Sequence, residues 1–186
     1  MRPEVPAPVC LQGRPGAPGV ARGAVLVYDQ ALPTGAPRKI ESEQIDSELR
    51  RLKAALGATE TEILQARQRV SEELGEDHAR IFDAHRFILL DDMLVEEARE
   101  IIRGGWGAET AYAEACQRIL RSFQNLDSSL PDRGGDLRDV ERRVLAQLLG
   151  RQAGGFRNLS EPVVVVARDI NPSDTATMNR NKVLGF

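Results

Sequence analysis

The two histidines of this sequence are the residues best suited to acid–base chemistry near neutral pH, and they are seven residues apart. His78 and His85 fall in a stretch with helical periodicity, so this spacing puts them two turns apart on roughly one helix face. A metal site would need further ligands at closer spacing, and none is evident. Nucleophilic catalysis would need a serine or cysteine that the sequence does not pair with either histidine. The pattern favours packing or surface histidines over catalytic ones.

The helical stretch around these histidines is strongly acidic. Residues 72–97 carry nine carboxylates against two arginines. The acids are Glu72, Glu73, Glu76, Asp77, Asp83, Asp91, Asp92, Glu96 and Glu97. Such a run is usually a solvated face, but Phe87, Ile88 and Met93 lie among the charges. An apolar patch rimmed by acid is what the docking of a basic partner requires, so both interpretations stay open.

A third group of charged residues alternates in sign over about two helical turns. It consists of Arg133, Asp136, Arg138, Asp139, Glu141, Arg142 and Arg143. One interpretation is surface ion pairing at i,i+3 and i,i+4, worth about 0.3 kcal/mol a pair. The other is an arginine placed to bind a phosphate through its bidentate fork. The spacing alone does not distinguish them.

Two glycine- or proline-containing segments give weaker signals. Residues 13–23 are glycine-dense but lack both a G-x-G-x-x-G pattern and a P-loop lysine, so they do not predict a phosphate cradle. Residues 171–174, of sequence NPSD, are better explained as a helix N-cap with proline at the first helical position.

The elements that must position these residues change character along the chain. Residues 1–23 hold many prolines and glycines and predict a loop, and residues 23–28 predict a short strand. From about residue 41, apolar residues recur at helical spacing. This pattern predicts helices at about 41–74, ended by Gly75, and at 76–90, 92–103, 108–126 and 136–149. A strand at 162–168, a capped helix at 169–179 and a strand at 182–186 follow as a βαβ unit.

This arrangement predicts a helical block inserted into an α/β part that both ends of the chain build, because isolated two-stranded ends are not stable alone. The expected class is α+β or α/β. The expected units are a proline-rich arm at 1–15, an α/β part at 16–38 and 156–186, and a helical part at 39–150. The chain stops within an apolar strand, so we expect that it is cut off. We also expect an open apolar sheet edge at 163–166 or 183–186.

Composition excludes several classes of function. The chain has 186 residues and a net charge of −3, which argues against broad nucleic-acid binding. No apolar run approaches the ~20 residues of a membrane span, and the N-terminus does not read as a signal peptide. Cys10 and Cys116 fit neither a metal site nor a disulfide framework. We expect a metal-free cytoplasmic protein with reduced thiols.

Four segments, taken together and in order, are similar to a known family. Residues 16–23 read GAPGVARG, with Ala17 where the family usually has serine, and residues 81–85 read IFDAH, followed by Leu89 and Asp91. Residues 133–139 read RGGDLRD, and residues 169–173 read DINPS, followed by VLGF at 183–186. The combination resembles the N-terminal part of enzyme I of the bacterial sugar phosphotransferase system, the phosphoenolpyruvate–protein phosphotransferases.

The resemblance implies a helical subdomain that docks the small phosphocarrier protein HPr, inserted into a swivelling α/β phosphohistidine subdomain. It also implies that the acidic helix is the docking surface, since HPr presents a basic patch. The partner-binding residues expected on this basis are Glu76, Asp77, Arg80, His85, Phe87, Ile88, Asp91 and Asp92. Arg133 falls at the family position near the transferred phosphoryl group.

One departure from the family limits what this chain is expected to do. In the family, a G-G-x-T-S-H segment that carries the phosphoacceptor histidine follows the V-x-G-F stretch, so its place lies beyond Phe186. Neither His78 nor His85 matches that histidine. The C-terminal barrel, which binds phosphoenolpyruvate and Mg²⁺ and forms the parent's homodimer, is also absent. We therefore expect a chain that docks HPr, takes no phosphate from phosphoenolpyruvate and holds no cofactor of its own.

Other readings remain open from the sequence. A nitrogen-regulatory enzyme I paralogue or a dihydroxyacetone-kinase phosphotransfer subunit would share these motifs. A non-catalytic helical module with an unrelated partner would share the periodicity and the acidic face. The motifs do not separate these alternatives.

Overall fold

The computed structural model describes residues 10–28, 36–124, 134–150, 156, 159–168 and 170–186. These residues are mostly helical, with one small parallel sheet, as the predicted α+β class requires. The strands are β1 (Ala24–Tyr28), β2 (Val163–Ala167) and β3 (Val183–Gly185). The helices are α1 (Ile45–Leu74), α2 (Glu76–Leu89), α3 (Asp92–Arg103), α4 (Ala108–Gln124), α5 (Gly134–Leu148) and α6 (Pro172–Thr177). A single 3-10 turn, Ser42–Gln44, precedes α1.

The sheet joins strands from distant parts of the sequence. Its order is β1-β2-β3 and both pairings are parallel, with Leu26 opposite Val165 and Val163 opposite Val183. Helices α1 to α5 lie between β1 and β2 in sequence, so the whole helical segment is the connection between two neighbouring strands. Of the two alternatives expected for an open edge, 163–166 is excluded because β2 pairs on both sides, and the one at 183–186 agrees with the position of β3. The edge at the end of the described chain is β3.

The long helix α1 ends where the sequence predicts. Gly75 has φ 91°, in the left-handed region that glycine adopts without a Cβ penalty, and its N–H donates to the carbonyl of Ser71 at 3.0 Å. Helix α2 begins at the next residue and packs back along α1. This tight connection places the buried face of α2, which includes Phe82 and Leu89, against the helical core.

Helix α5 lies at the centre of the helical segment, in contact with α1, α2 and α4. Most of its residues from Leu137 to Leu148 are buried, including charged ones. A second core lies under the sheet, where Phe156 packs with Val163, Val165 and Val183. The ring centroid of Tyr28 is 4.5 Å from that of Phe156. None of the helices in the described ranges is long and apolar enough to cross a membrane.

Helix α6 connects the sheet to the helical segment. Asn171 is its N-cap and proline occupies the start of the helix, as the sequence predicts, although the helix is shorter than the predicted 169–179. The side-chain amide of Asn171 does not cap the helix and instead donates to Asp139 of α5 at 3.1 Å. Helix α6 also packs against α1 and α2, so it is one of the elements that join the sheet part of the chain to the helices.

Candidate functional site

The junction of α2 and α3 presents three large apolar side chains to solvent. Phe87 and Met93 are each 78% exposed, and Leu90 is 45% exposed. The turn between the helices is fixed by Asp91, whose carboxylate accepts the N–H of Leu94 at 3.0 Å and so caps α3. A capped junction holds these apolar groups in a defined position on the surface.

A groove beside this junction continues the apolar surface. It has a volume of about 520 Å³, and its apolar lining comes from four helices. Its apolar lining residues are Phe87, Ile88, Met93, Leu94, Ile119 and Leu137. We call these residues the apolar groove. A neighbouring hollow of about 540 Å³ shares Phe87 and Met93 and extends the surface past Leu90.

Carboxylates surround the apolar groove. They are Asp83, Asp91, Asp92 and Glu97. Ion pairs offset part of this charge, since Arg118 pairs with Glu97 at 2.6 Å and Arg67 pairs with Asp83 at 2.7 Å. Arg86 on the rim pairs instead with Glu60 at 2.9 Å, which leaves Asp91 and Asp92 without a paired cation among the described residues. The surface therefore combines exposed apolar side chains with net negative charge, which suits a partner with an apolar plug and basic flanks.

A second polar arrangement, buried under the acidic helix, joins α5 to the sheet. Arg142 pairs with Asp139 on its own helix and with Asp174 of α6 at 3.2 Å, and it donates to the Tyr28 hydroxyl at 2.7 Å. Tyr28 in turn donates to Asp174 at 2.9 Å. Ser173 donates to Asp139 at 2.7 Å.

Two more residues complete this arrangement. Arg143 contacts Asp139 at 3.2 Å and pairs with Glu62 of α1. His85 of α2 places Nδ1 3.3 Å from Asp139 and Nε2 3.4 Å from Asp136. We call the set the ionic cluster. Its members are Tyr28, Glu62, His85, Asp136, Asp139, Arg142, Arg143, Ser173 and Asp174.

Burial and the arginines set the protonation states in the ionic cluster. Burial alone would raise the pKa of Asp139, but Arg143 and Arg142 outweigh it and bring the pKa to about 2. Burial lowers the pKa of His85, against the opposing pull of Asp139, so the imidazole is neutral at pH 7. Burial raises the pKa of Tyr28 to about 12 and raises that of Asp174, which Arg142 opposes. The cluster is thus an ionised Asp139 held by two arginines beside a neutral histidine.

A family model described as PEP-utilising enzyme, N-terminal, matches residues 12–133. The chain belongs to this family of PEP-utilising enzymes. The match confirms the resemblance that the four sequence segments carry. It spans β1, α1 to α4 and the residues of the apolar groove except Leu137 of α5.

Several curated relatives of this PEP-utilising enzyme chain carry the same name. The phosphoenolpyruvate-protein phosphotransferase of Listeria monocytogenes serovar 1/2a is 37% identical over 178 residues, which cover 95% of this chain and 31% of that protein. The protein of the same name from Geobacillus stearothermophilus is 35% identical over 178 residues, covering 95% and 30%. The chain therefore spans about 31% of the length of the relatives it matches.

Solved structures support the family fold. The NMR solution structure of Enzyme I (nEIt) aligns with a TM-score of 0.75 at 35% identity, covering 91% of this chain and 69% of that one. The N-terminal domain of Enzyme 1 – Nitrogen aligns with a TM-score of 0.60 at 24% identity over the same shares, a likeness of fold alone.

The structure brings part of the expected partner-binding set to the apolar groove. Phe87, Asp91 and Asp92 line it or its neighbouring hollow, and half-buried Ile88 forms part of its wall. Asp77 and Arg80 are exposed on the first turns of α2, and Arg80, Asp83 and Phe87 are spaced to share one face. Glu76 is also exposed, and it pairs with Arg67 at 3.0 Å.

His85 does not belong to that surface. It is 1% exposed and lies on the inner face of α2 with Phe82 and Leu89, which recur at the three- and four-residue spacing of a buried helix face. Its ring is enclosed by the ionic cluster and packs edge-on against Phe82, with centroids 5.9 Å apart. The expectation that His85 contacts a partner is therefore corrected: it is an interior residue of the helical segment.

The alternating charges of α5 match neither of the two interpretations from the sequence in full, which were surface ion pairing and phosphate binding. Asp139 pairs with Arg142 and Arg143 at the i,i+3 and i,i+4 spacings, but the three side chains are buried and not on a solvated face. Sequence reasoning missed their links to Tyr28 and Asp174. The available signal was α5 itself, whose apolar residues cover several faces and so leave most of its charges, Arg138 excepted, no exposed side. Arg133, expected near the phosphoryl group, lies outside the described residues.

No group of three or more His, Cys, Asp or Glu side chains suited to hold a metal ion occurs in the parts of the chain that the structure describes. The Mg²⁺ expected for the full-length relatives therefore has no candidate ligand set among these residues. We assign no chemical step of this chain to a metal ion.

Proposed function

We propose that this chain is the partner-docking part of a phosphoenolpyruvate–protein phosphotransferase and that the apolar groove binds the phosphocarrier protein HPr. The observation that carries the proposal is the exposure of Phe87 and Met93 among acidic residues, of which Asp91 and Asp92 form no ion pair with the residues that the structure describes. Exposed large apolar groups on a monomer surface mark interaction sites, and the charge of the rim selects a basic partner. The name that these curated relatives carry, phosphoenolpyruvate-protein phosphotransferase, supports a role in phosphoryl transfer.

In the proposed reaction, phosphate passes from phosphoenolpyruvate to an enzyme histidine and then to HPr, which serves sugar uptake. Such transfers rely on positioning and on electrostatic stabilisation of the moving phosphoryl group. The groove would supply the positioning, by holding the carrier while the phosphorylated histidine approaches it. Arg133 is proposed to lie near the phosphoryl group, where a guanidinium can bind two oxygens at once.

Neither histidine of this chain is proposed to carry the phosphate. His85 is enclosed, and His78 lies on the exposed side of α2 apart from the ionic cluster. Incubation with labelled phosphoenolpyruvate and Mg²⁺ is expected to leave the chain unlabelled. Stable labelling at either histidine would overturn this part of the proposal. For the whole protein, we propose cytoplasmic location, use of Mg²⁺ and homodimerisation outside the present residues.

The test of docking is a chemical-shift titration of the ¹⁵N-labelled chain with HPr. We expect perturbations centred on the α2–α3 junction, from Asp83 to Glu97, and weaker binding as salt is raised because the rim charges are screened. Phe87→Ala should lower the affinity at least ~10-fold, as the loss of a central apolar contact does.

Leu64→Ala is the matched control, because Leu64 is an exposed apolar residue of α1 away from the groove. It should leave the affinity unchanged. Absence of perturbations at ~1 mM protein, an affinity of about −4 kcal/mol, would contradict HPr docking and favour an unrelated partner. Equal effects of Phe87→Ala and Leu64→Ala would remove the groove from the interface.

A further inference from the structure

Glu141 of α5 is a buried carboxylate without a hydrogen-bond partner for one of its oxygens. The residue is 1% exposed, and its Oε1 has no hydrogen-bond partner in the structure. The facing helix α4 presents Tyr112 and Cys116, both completely buried, and the Tyr112 hydroxyl has no nitrogen or oxygen partner, only the weakly polar Cys116 thiol beside it. Unsatisfied polar groups in a packed helix interface are rare and costly, and this seam between α4 and α5 holds two of them side by side.

Among the residues that the structure describes, no cation forms an ion pair with Glu141 as Arg142 and Arg143 do with Asp139. Arg138, one turn earlier in α5, is the charged group that acts on it, and its side chain is exposed. The side chains of α4 that face Glu141 are those of Tyr112 and Cys116. The charged side chains that α1, α2 and α6 direct toward α5 contact residues other than Glu141. Glu62 of α1 meets Arg143, His85 of α2 meets Asp139 and Asp136, and Asp174 of α6 meets Arg142.

This environment favours the neutral carboxylic acid. Burial raises the pKa of Glu141 to about 7, against the weaker opposite effect of Arg138. Burial also raises the pKa of Tyr112 well above its ordinary value, so the tyrosine stays a neutral hydroxyl throughout the range in which Glu141 titrates. A protonated Glu141 can donate its O–H within the seam, whereas the ionised form leaves a buried charge beside two neutral groups.

The seam lies one helical turn beneath the apolar groove. Ile119 follows Cys116 by three residues on α4, and Leu137 precedes Glu141 by four residues on α5. Both Ile119 and Leu137 line the groove. The residues that pack at Glu141 are therefore one helical turn from two residues that line the groove.

We propose that Glu141 is a proton switch in the α4–α5 seam, closed when the carboxyl is protonated and loosened when it ionises, and that it thereby makes the apolar groove sensitive to pH. The effect on the groove rests on the proposed docking function. The effect on the seam stands on the burial and the missing partners of Glu141 alone.

The test of the seam compares the chain with Glu141→Gln, which keeps the shape and lacks the titration. Folding raises the pKa of Glu141 from 4.5 to about 7. The protonated carboxyl therefore leaves the fold at full stability below about pH 4.5, and this part of the stability is lost as pH rises to about 7. The unfolding equilibrium constant of the parent relative to the variant should therefore grow by on the order of a hundredfold from pH 4.5 to 8. Glu73→Gln, on the exposed surface of α1, is the matched control and should follow the parent.

Two readouts decide the proposal whether or not HPr binds. A ¹³C titration of the Glu141 side-chain carboxyl should show a midpoint near neutral pH, and a midpoint near 4.5 would overturn the switch. Parallel stability profiles for the parent and Glu141→Gln would overturn it as well.

The link between Glu141 and the apolar groove is tested by measuring the affinity for HPr. The parent should bind several-fold more weakly at pH 8 than at pH 6, relative to Glu141→Gln measured alongside. Equal pH profiles of affinity, in a chain whose stability still shows the difference, would overturn the link to the groove. No HPr binding by either protein at any pH would refute the proposed function and leave the stability result to decide the seam.

Discussion

Arg142 of α5 and Asp174 of α6 form a buried ion pair, Nη2 to Oδ2 3.2 Å, that crosses from the helical segment to the sheet segment. The same guanidinium contacts Asp139 on its own helix and the Tyr28 hydroxyl at the end of β1. Charges removed from water are tolerated only when their partners satisfy them closely. The relative placement of the two segments therefore depends on one arginine that three elements share.

Replacing Arg142 by methionine should be strongly destabilising. The change keeps most of the side-chain volume but leaves Asp174 without its cation, and Asp139 with Arg143 alone. Breaking one member of a buried pair costs about 3–5 kcal/mol, because the other charge stays buried and uncompensated. Urea unfolding monitored by circular dichroism measures the loss.

The control for this variant is Arg99→Met, since Arg99 forms an exposed ion pair with Glu96 at 3.1 Å. An exposed pair contributes about 0–1 kcal/mol. Adding Asp174→Asn to Arg142→Met should recover part of the loss by removing the unpaired charge. Similar losses for Arg142→Met and Arg99→Met would show that the ionic cluster does not hold the segments together.

A second buried carboxylate ties three helix ends together. Glu48 of α1 accepts the N–H of Ala108 at 2.9 Å, where α4 begins, and pairs with Arg38 at 2.8 Å and Arg51 at 2.7 Å. Arg51 continues to Glu109 and to the carbonyl of Leu148, where α5 ends. Glu48→Ala should cost roughly 2–4 kcal/mol, because it leaves a buried N–H and removes the central charge.

Thermal or urea unfolding measures this effect, and Glu48→Gln should lose less because its amide oxygen still accepts the Ala108 N–H. Glu43→Ala, at an exposed position before α1, is the control and should change stability by less than about 0.5 kcal/mol. If Glu48→Ala lowers the free energy of unfolding by less than about 0.5 kcal/mol, apolar packing alone holds the three helix ends together.

The helices were predictable because the signals that define them are local. Helix α3 begins and ends where the sequence predicts, since Asp91 caps its start and Gly104 follows its last residue. The apolar surface was visible for the same reason, as Phe87 and Met93 interrupt a run of acids within one short stretch.

The ionic cluster was not predictable in this way. Its contacts join residues far apart in sequence, such as Tyr28 and Asp174, and no periodicity reports them. Asp139 looks like half of a surface i,i+3 pair until α6 covers it and Ser173 donates to it. The sequence likewise allows His85 to be a surface residue. Only the packing of α5 brings Asp136 and Asp139 to its ring. Burial of polar groups depends on tertiary partners, which propensity and spacing do not contain.

Protonation of His85 should destabilise the fold in mild acid. Burial lowers the pKa of His85 below its ordinary 6.5, although Asp139 acts in the opposite direction. The folded chain therefore binds fewer protons at His85 than the unfolded chain, so its stability is present above about pH 6.5 and is lost as pH falls toward the folded pKa. His85→Gln should remove this part of the slope in urea midpoints measured from pH 7.5 to 5.

His78→Gln makes the same chemical change at an exposed position of the same helix and should shift the midpoint by less than about 0.5 kcal/mol at pH 7. Glu141 makes stability fall as pH rises, which is opposite to the effect of His85. The urea midpoint of the parent is therefore compared with that of His85→Gln at each pH. An unchanged slope in His85→Gln would mean that the buried imidazole titrates alike in the folded and unfolded chains.

Strand β3 should exchange its amide hydrogens much faster than α1. It has three residues at the edge of the sheet, and Leu184 and Phe186 are 44% and 73% exposed. The buried residues of α1, such as Leu52 and Ile63, belong to the main core, whose opening requires global unfolding. Native-state hydrogen exchange should give Val183–Gly185 a far smaller opening free energy than the centre of Ile45–Leu74. A monomeric chain, verified by light scattering, with equal protection in both segments would show that the edge strand and the helices unfold as one cooperative unit.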